Sequence, residues 1–216
     1  DLAAGATRDV SFTYTATDDN GGVSAPATVT ITVTGTNDGP VATADTLFTS
    51  EDSALTIPAA TLLGNDTDID GGTLTITSVQ GAVNGTVALV GGNVVFTPAG
   101  NYNGPASFTY TVADGNGGNS TASVNITVTP VNDAPAAIAG ALTTPEDTSV
   151  GVNLAGTDVD GTIASVTVTG LPITGALFLA DGITPVVAGS ALTPAQAASL
   201  VYTPGVNASG SVSLQF

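Results

Sequence analysis

Three aspartates stand at alternate positions in the stretch NDTDIDGG, residues 65–72, and a glycine follows the third directly. Asp66, Asp68 and Asp70 reproduce the first half of a helix–loop–helix calcium loop, which needs ligands at positions 1, 3 and 5 and a glycine at 6. Position 12 of such a loop is a bidentate glutamate, but here it is Thr77, and the residues around it alternate as in a strand. The three carboxylates therefore belong to a different arrangement.

The composition restricts this chemistry to oxygen ligands. The 216 residues include 18 acidic residues and one basic residue, Arg8, which gives a formal net charge of −17. Cys, His, Met and Trp are absent, which excludes thiolate nucleophiles, imidazole acid–base chemistry and nitrogen- or sulfur-ligated metals. Carboxylates and amides remain, and these suit hard cations such as Ca²⁺.

The same charge balance excludes two classes of partner. Nucleic acid needs clustered Lys and Arg, and this chain has no such cluster, so we expect no nucleic-acid partner. An anionic membrane surface would repel the chain, and no apolar run reaches the length of a membrane span, so we expect no direct membrane insertion. Runs such as TVTITVT, with abundant Thr, Val and Gly, predict an all-β protein.

The chain repeats itself. SFTYTATDDNGG at 11–22 returns as SFTYTVADGNGG at 107–118, and VTITVTGTNDGPVA at 29–42 returns as VNITVTPVNDAPAA at 124–137. Asp133 follows Asp38 by 95 residues, a usual size for a two-sheet sandwich. We interpret the chain as an excerpt from a tandem array of Greek-key β-sandwiches joined end to end. Its predicted parts are the C-terminal hairpin of a preceding repeat (1–39), a complete sandwich (40–134) and a sandwich that lacks its last strand (135–216).

Within the complete repeat the alternation predicts six strands, at 55–57, 73–79, 86–90, 93–97, 106–113 and 121–129. Asn84-Gly85 and Gly91-Gly92 have the chemistry of tight turns. In the third part, TPAQ at 193–196 predicts a capping box on one helical turn.

The acidic residues concentrate in recurring loops and linkers instead of scattering over strand faces. In a sandwich of this kind, the linker, the loop after the second strand and the loop before the last strand meet at one end. We therefore expect six side chains to converge there: Asn37, Asp38, Asp66, Asp68, Asp70 and Asp114.

A second group is expected at the opposite end. Glu51 follows Asp38 by 13 residues, which at about 3.3 Å per residue places it roughly 43 Å further along an extended strand. There Glu51 and its neighbour Asp52 can meet the next linker and the next repeat, and the expected partners are Asn132, Asp133, Asp158 and Asp160. Two charges about 5 Å apart repel by about 1 kcal/mol in water and about 3 kcal/mol at an effective dielectric near 20, so a divalent cation would stabilise such a cluster. All twelve of these residues are predicted Ca²⁺ ligands.

The repeats resemble the bacterial cadherin-like and VCBS-type tandem repeats of large secreted adhesins of the RTX class. The motifs that carry the resemblance are TYTATDDNGG…VTITVTGTNDGPVA, EDSALTI…LLGNDTDIDGGTLTI and FTPAGNYNGPASFTYTVADGNGGNSTASVNITVTPVNDAP. Cadherins carry an early-strand Glu, a linker with Asn and Asp, a DxD pair and an AxD loop. The matching residues here are Glu51, Asn132 with Asp133, Asp158 with Asp160, and Asp114.

The resemblance implies an extracellular, cell-surface role in adhesion or biofilm formation. The repeats would form a stalk that Ca²⁺ stiffens and that projects a distal ligand-binding region, with the neighbouring repeats of the same chain as partners. The linker has ND and not a longer acidic run, so fewer ions at each junction are possible.

Three other functions would use some of the same residues. A glycosidase could use paired carboxylates such as Asp68 and Asp70, but these recur in the next repeat without an aromatic platform, so we do not expect an enzyme. A calcium-dependent carbohydrate-binding module could stack sugars on Tyr102, Tyr110 or Tyr202, although aromatics at strand positions usually belong to the core. A filament is the third alternative, in which other copies of the chain complete the open sandwich by strand complementation or meet in cell–cell contacts.

Overall fold

The structure is a computed structural model that describes residues 2–216. It divides into two compact units, Asp1–Val131 and Asn132–Phe216, and each is described by itself. No helix among the described residues is long and apolar enough to cross a membrane.

The first unit contains a two-sheet sandwich and a separate hairpin. The four-stranded sheet has the order β3-β9-β8-β5 and the three-stranded sheet the order β4-β7-β6, while β1 and β2 pair with each other. The strands are β1 (Thr7–Tyr14), β2 (Ala27–Thr34), β3 (Asp45–Ser50), β4 (Leu55–Pro58), β5 (Thr75–Val83), β6 (Gly85–Val90), β7 (Asn93–Pro98), β8 (Gly104–Ala113) and β9 (Asn119–Thr129). A short helix α1 (Ala59–Leu62) and a 3-10 turn (Leu63–Asn65) lead from β4 towards β5.

The core of this unit follows from alternation along β8 and β9. Every second residue of β8 is buried, from Ala106 to Val112, and the same holds in β9 from Ala122 to Val128. Phe96 of β7 stacks on Phe108 of β8 with ring centroids 6.0 Å apart. The predicted all-β, immunoglobulin-like sandwich is confirmed.

One strand was absent from the predicted set. β3 pairs in parallel with β9, from Asp45 beside Val124 to Ser50 beside Thr129, whereas the other strands of the sandwich pair antiparallel. Its sequence DTLFTS buries Leu47 against the core but leaves Phe48 exposed. The pairing that makes it a strand is contributed by residues about 80 positions away.

The two predicted tight turns behave differently. Gly91 and Gly92 both have positive φ and close a two-residue hairpin between β6 and β7, the geometry of a type I′ turn. Asn84 also has positive φ, but it connects β5 of one sheet to β6 of the other. Its side-chain amide donates to the Tyr102 hydroxyl and to the backbone carbonyl of Pro105, which holds this crossing in place.

The hairpin of β1 and β2 is amphipathic. Its register places alternate residues of the two strands on one face: Arg8, Val10, Phe12 and Tyr14 with Ala27, Val29, Ile31 and Val33. The opposite face carries Thr, Ser and Asp side chains. Val10, Phe12, Tyr14 and Ile31 of the apolar face are each more than half exposed.

The second unit consists of shorter strands around a smaller core. Its elements are β10 (Ala136–Ile138), β11 (Val150–Val152), β12 (Ala155–Thr157), β13 (Val166–Thr167), β14 (Ala176–Phe178), β15 (Ala191–Leu192), helix α2 (Pro194–Ala197) and β16 (Leu200–Thr203). β10 pairs with β12, β13 with β15, and β16 lies between β11 and β14. The predicted capping box is confirmed, because Thr193 accepts from the Gln196 backbone and the Gln196 side chain accepts from the Thr193 backbone.

Candidate functional site

The linker and the loop before β5 are joined by backbone-to-carboxylate hydrogen bonds. The Asp38 amide donates to Asp70 Oδ2 at 2.6 Å, and the Asp70 amide donates to Asp68 Oδ1 at 2.9 Å. The alternate spacing of the two aspartates permits this turn, since a short carboxylate can accept from the amide two residues on. The turn directs the Asp70 carboxylate at the linker.

The loop between β8 and β9 provides a second contact with the linker. Asp114 is 5% exposed, and its Oδ2 accepts from the side-chain amide of Asn37 at 2.8 Å. Its Oδ1 accepts from the backbone amides of Asn116 and Gly118. The pKa of Asp114 is lowered, first by the Asn37 hydrogen bond and then, against the opposing effect of burial, by these backbone amides.

Two oxygen atoms beside these contacts are buried without a hydrogen-bond partner: Asn37 Oδ1 and Asp70 Oδ1. Buried acceptors of this kind are rare in folded proteins, because each loses its bond to water and gains nothing in return. We name Asn37, Asp38, Asp68, Asp70 and Asp114 the linker cluster.

The second unit repeats this arrangement. The Asp133 amide lies 3.3 Å from Asp160 Oδ2, and the Asp160 amide donates to Asp158 Oδ1 at 3.2 Å. These contacts are the counterparts of those from Asp38 to Asp70 and from Asp70 to Asp68. The side-chain amide of Asn132 donates to the backbone carbonyl of Asp133.

Asp66 is held in a different environment from Asp68 and Asp70. Its Oδ1 accepts from the Thr43 amide at 2.8 Å, and its Oδ2 lies 3.1 Å from the hydroxyl of the fully buried Tyr110. That hydroxyl also lies 3.2 Å from the backbone carbonyls of Thr43 and Leu62. Burial and then the charges of Asp45 and Asp66 raise the pKa of Tyr110. Tyr110 is therefore a core residue that anchors the start of the domain and is not a surface platform for sugars.

Asp45 completes this environment and was not among the predicted site residues. Burial raises its pKa, the neighbouring Tyr110 hydroxyl partly offsets that effect, and the charge of Asp66 adds to it. Asp45 Oδ1 accepts from the Asn65 side chain, whereas Oδ2 is buried without a hydrogen-bond partner. The signal for Asp45 would have been its position at the start of β3, a strand that its own local sequence does not reveal.

The side chains of Glu51 and Asp52 both accept hydrogen bonds from backbone amides. Glu51 is 2% exposed; its amide donates to the Thr129 carbonyl, and its Oε1 accepts from the Val131 amide at 2.7 Å. Asp52 has positive φ and accepts from the Asn101 amide at 3.0 Å. Asp147 and Asn207 repeat that contact in the second unit, so the recurrence of this aspartate has a structural explanation.

The predicted ligands are therefore brought together in pairs and short chains. Among residues 2–216, no group of three or more carboxylates is placed to hold one metal ion. A cation at the linker cluster would need the Asn37 amide oxygen, backbone carbonyls or water in addition to carboxylates, which is the mixed set of oxygens that Ca²⁺ accepts.

A protein-family model matches the part of the chain that contains the linker cluster. The family model described as "Cadherin-like domain" matches residues 36–129. The match runs from the linker to the end of β9, so the matched residues include the whole linker cluster and Glu51. No curated protein matches the chain in sequence.

Solved structures show only distant likeness. EC1-3 of protocadherin gamma C5 is 15% identical, with 92% of this chain and 67% of that chain covered and a TM-score of 0.36. An endo-fucoidan hydrolase from glycoside hydrolase family 107 is 18% identical with a TM-score of 0.30, and a variant of it is 19% identical with a TM-score of 0.34. The chain spans 31% of the length of that hydrolase, and likeness at this level says nothing about activity.

Proposed function

We propose that this chain is a calcium-stiffened extender of an extracellular, cell-surface adhesin and that it has no catalytic role. The observation that carries the proposal is the repeated contact between a linker aspartate and a DxD turn, Asp38 with Asp70 and Asp133 with Asp160. A cadherin-like domain with these residues supports an adhesion-type extracellular repeat. The further assignment to bacterial VCBS-type repeats of RTX adhesins rests on the sequence resemblance.

The linker cluster has the donor types that Ca²⁺ takes. Asn37 Oδ1 and Asp70 Oδ1 are buried acceptors without partners, and hydrogen bonds link these two residues to the carboxylates of Asp114 and Asp68 respectively. When bound, the cation would supply positive charge among these oxygens and satisfy the unpartnered ones. Asp158, Asp160, Asp133 and Asn132 supply the same donor types in the second unit.

The proposed stiffening of the linker depends on the position of the linker cluster in the chain. Asn37 and Asp38 separate the β1–β2 hairpin from the sandwich that begins with β3. Hydrogen bonds from Asn37 to Asp114 and from Asp38 to Asp70 hold the linker to the sandwich. A divalent ion shared by linker and loops would restrict the linker further, because its ligands cannot separate without losing it.

The proposed extracellular location agrees with the physical requirements of such a site. Extracellular modules bind Ca²⁺ with dissociation constants of about 10⁻⁴ to 10⁻³ M, which suits an environment rich in calcium. The chain has no cysteine, so its fold does not depend on the redox state of its surroundings.

The test is a calcium titration of the full chain after treatment with excess chelator, followed by thermal unfolding and small-angle scattering. One site at 100 times its dissociation constant adds about 2.7 kcal/mol to the free energy of unfolding. We expect the Asp70→Asn, Asp114→Asn double variant to lose the calcium-dependent increase in the first unit while it remains folded in chelator, since asparagine keeps an oxygen for the amides that Asp70 and Asp114 accept from.

The matched control is Asp19→Asn, which removes the same charge from a carboxylate that accepts from the Asn20 side chain and lies outside the linker cluster. This variant should respond to calcium as the parent chain does. If Asp19→Asn and the double variant lose the calcium-dependent increase in stability equally, the increase depends on the overall charge of the chain and not on the linker cluster. No response in the parent chain would overturn the proposal.

A further inference from the structure

Four asparagines of the chain are each followed directly by glycine: Asn20, Asn84, Asn103 and Asn116. Asparagine is one of the chemically labile residues. In an Asn-Gly pair the backbone nitrogen of the glycine can attack the side-chain carbonyl carbon of the asparagine, because glycine has no Cβ that hinders the approach. The attack requires an asparagine side chain that is free to turn and a glycine amide that is free to approach it. The four pairs differ in both respects.

Two of the pairs lead directly into strands of the sandwich. Gly85 is the first residue of β6 and Gly104 the first residue of β8, and each is paired with a residue of the neighbouring strand. This pairing restricts the backbone rotation that would bring the glycine nitrogen to the side chain. The Asn84 side chain is restrained further by its two hydrogen bonds, to a tyrosine hydroxyl and to a backbone carbonyl.

The third pair lies in the loop of the β1–β2 hairpin and is restrained by hydrogen bonds on both of its residues. The side-chain amide of Asn20 donates to Asp19 Oδ1 at 3.2 Å. The backbone amide of Gly21 donates to the carbonyl of Asp18, also at 3.2 Å. The asparagine side chain and the glycine nitrogen are therefore both engaged with other partners.

The fourth pair lies in the exposed loop between β8 and β9 and has neither restraint. Among residues 2–216, the Asn116 side chain has no hydrogen-bond partner, and the backbone amide of Gly117 donates to no acceptor. Gly115 stands where the related hairpin loop has Asp19, so the side chain that holds Asn20 has no counterpart here. Asn116 and Gly117 are both exposed to water, which the reaction consumes.

We infer that Asn116 is the principal site of spontaneous deamidation in the folded chain and that its isoaspartate product breaks the contact between the 114–118 loop and the linker. The Gly117 nitrogen forms a bond to Asn116 Cγ and loses its proton, the bond from Cγ to the side-chain nitrogen breaks, and ammonia leaves. Water then opens the five-membered imide ring. Opening at Cγ gives aspartate, whereas opening at the main-chain carbonyl carbon gives isoaspartate, in which the chain runs through the side-chain carbon.

The isoaspartate product does not fit this loop, because it adds one carbon to the main chain between residues 116 and 117. The backbone amides of Asn116 and Gly118 both donate to Asp114 Oδ1. Gly118 also packs so closely on the linker that an added Cβ would collide with Asp114 Oδ2 and with the Cα of Gly39. A longer main chain must therefore move Gly118 away from Asp114 and from the linker. The reaction itself does not depend on the proposed calcium function.

The first measurement follows the four asparagines by mass spectrometry while the folded full chain ages in mildly alkaline buffer with chelator. Chymotrypsin cleaves after Tyr110 and so separates Asn103 from Asn116, and electron-transfer fragmentation distinguishes isoaspartate from aspartate. We expect Asn116 to react several-fold faster than the other three in the folded chain, and the four rates to converge in denaturant. Equal rates in the folded chain, or a faster reaction at Asn20, Asn84 or Asn103, overturn the inference. A preference for Asn116 that persists unchanged in denaturant originates in local sequence and overturns it as well.

The second measurement compares the hydrogen exchange of the Gly118 amide before and after ageing, again in chelator. The matched control is Asn116→Gln, which keeps a side-chain amide but must close a larger ring, so it should not react on the same timescale. We expect the Gly118 amide to exchange several-fold faster in the isoaspartate fraction, purified by anion exchange, than in the fresh chain, since its hydrogen bond to Asp114 is lost. The aged control should show no change. Unchanged exchange in the isoaspartate fraction, or an equal increase in the aged control, overturns the predicted break between the loop and the linker.

Discussion

Asp45, at the start of β3, and Asp114, in the loop after β8, are two aspartates whose surroundings shift their pKa in opposite directions. Asp114 accepts hydrogen bonds from the Asn37 side-chain amide and from two backbone amides, and these bonds lower its pKa. Asp45 is half-buried beside Asp66, with one oxygen unpartnered, and its pKa is raised. The charge of Asp114 is thus stabilised by the fold, whereas that of Asp45 is opposed by it.

The raised pKa of Asp45 predicts a pH-dependent effect of Asp45→Asn. Below the unfolded-state pKa, near 3.8, the carboxyl is neutral in both states, and the parent and variant should have similar stability. As pH rises through the folded-state pKa, the parent loses stability because it must bury a charge. We expect Asp45→Asn to melt at a higher temperature at pH 7 and to show little difference at pH 3. A variant that is less stable at pH 7 would contradict this account.

The Asn37 contact predicts the titration of Asp114. The lowered pKa means that the stabilisation from this carboxylate is present above its unfolded-state pKa and is lost as pH falls through the folded-state pKa. Asn37→Ala removes the first cause of the shift, so the pKa of Asp114 should move up towards its ordinary value in a carboxyl NMR titration. Asp181, whose pKa is lowered by the Thr184 side chain and nearby amides, is an internal reference that should not move.

At the scale of elements, the β6–β7 hairpin is specified by two glycines. Gly91 and Gly92 adopt positive φ in the two-residue turn, which matches the twist of the flanking strands. Because β7 lies at the centre of the three-stranded sheet and contributes Val94 and Phe96 to the core, this turn fixes which faces of β6 and β7 are buried.

Gly92→Val should destabilise the first unit by roughly 1–2 kcal/mol, since a side chain in the left-handed region is sterically strained. The measurement is urea unfolding of the full chain followed by circular dichroism. Gly100→Val is the matched control, because Gly100 lies outside the left-handed region and an added Cβ meets nothing within 4 Å. Equal losses in the two variants would show that conformation at Gly92 is not the cause.

The whole molecule is dominated by like charge. With 18 acidic residues and one basic residue, Arg8, the folded chain carries a net charge of −17 that it cannot neutralise by internal ion pairs. Compaction therefore works against self-repulsion, which salt screens over a Debye length of about 10 Å at 0.1 M.

We expect the melting temperature in chelator to rise with sodium chloride and then to level off. The comparison that separates screening from binding is calcium chloride against sodium chloride at matched ionic strength. A site at the linker cluster gives an additional increase at low millimolar calcium, and this increase should disappear in the Asp70→Asn, Asp114→Asn variant. If sodium at the same ionic strength reproduces the whole effect, calcium acts by screening alone.

The sequence alone was sufficient to predict the properties that depend on local pattern and on residue type. Alternation in the runs FTYTV and VNITVT predicted which faces of β8 and β9 are buried, and the all-β sandwich follows from it. The absence of His and Cys limited any metal chemistry to oxygen ligands. The expected layout of the sandwich placed the linker and the DxD loop at the same end, and the Asp38 amide donates to Asp70.

Only the tertiary structure determined the pairing and the electrostatic effects between segments that are distant in sequence. β3 is a strand because β9 pairs with it, and Asp45 has a raised pKa because Tyr110 and Asp66 enclose it; no local pattern contains either fact. Asp52, a predicted Ca²⁺ ligand, accepts a hydrogen bond from the Asn101 amide in a turn, and only the tertiary structure shows this contact. A sequence shows which groups are available, but burial and hydrogen bonding between residues tens of positions apart determine whether a carboxylate caps a turn, supports the core or faces the linker.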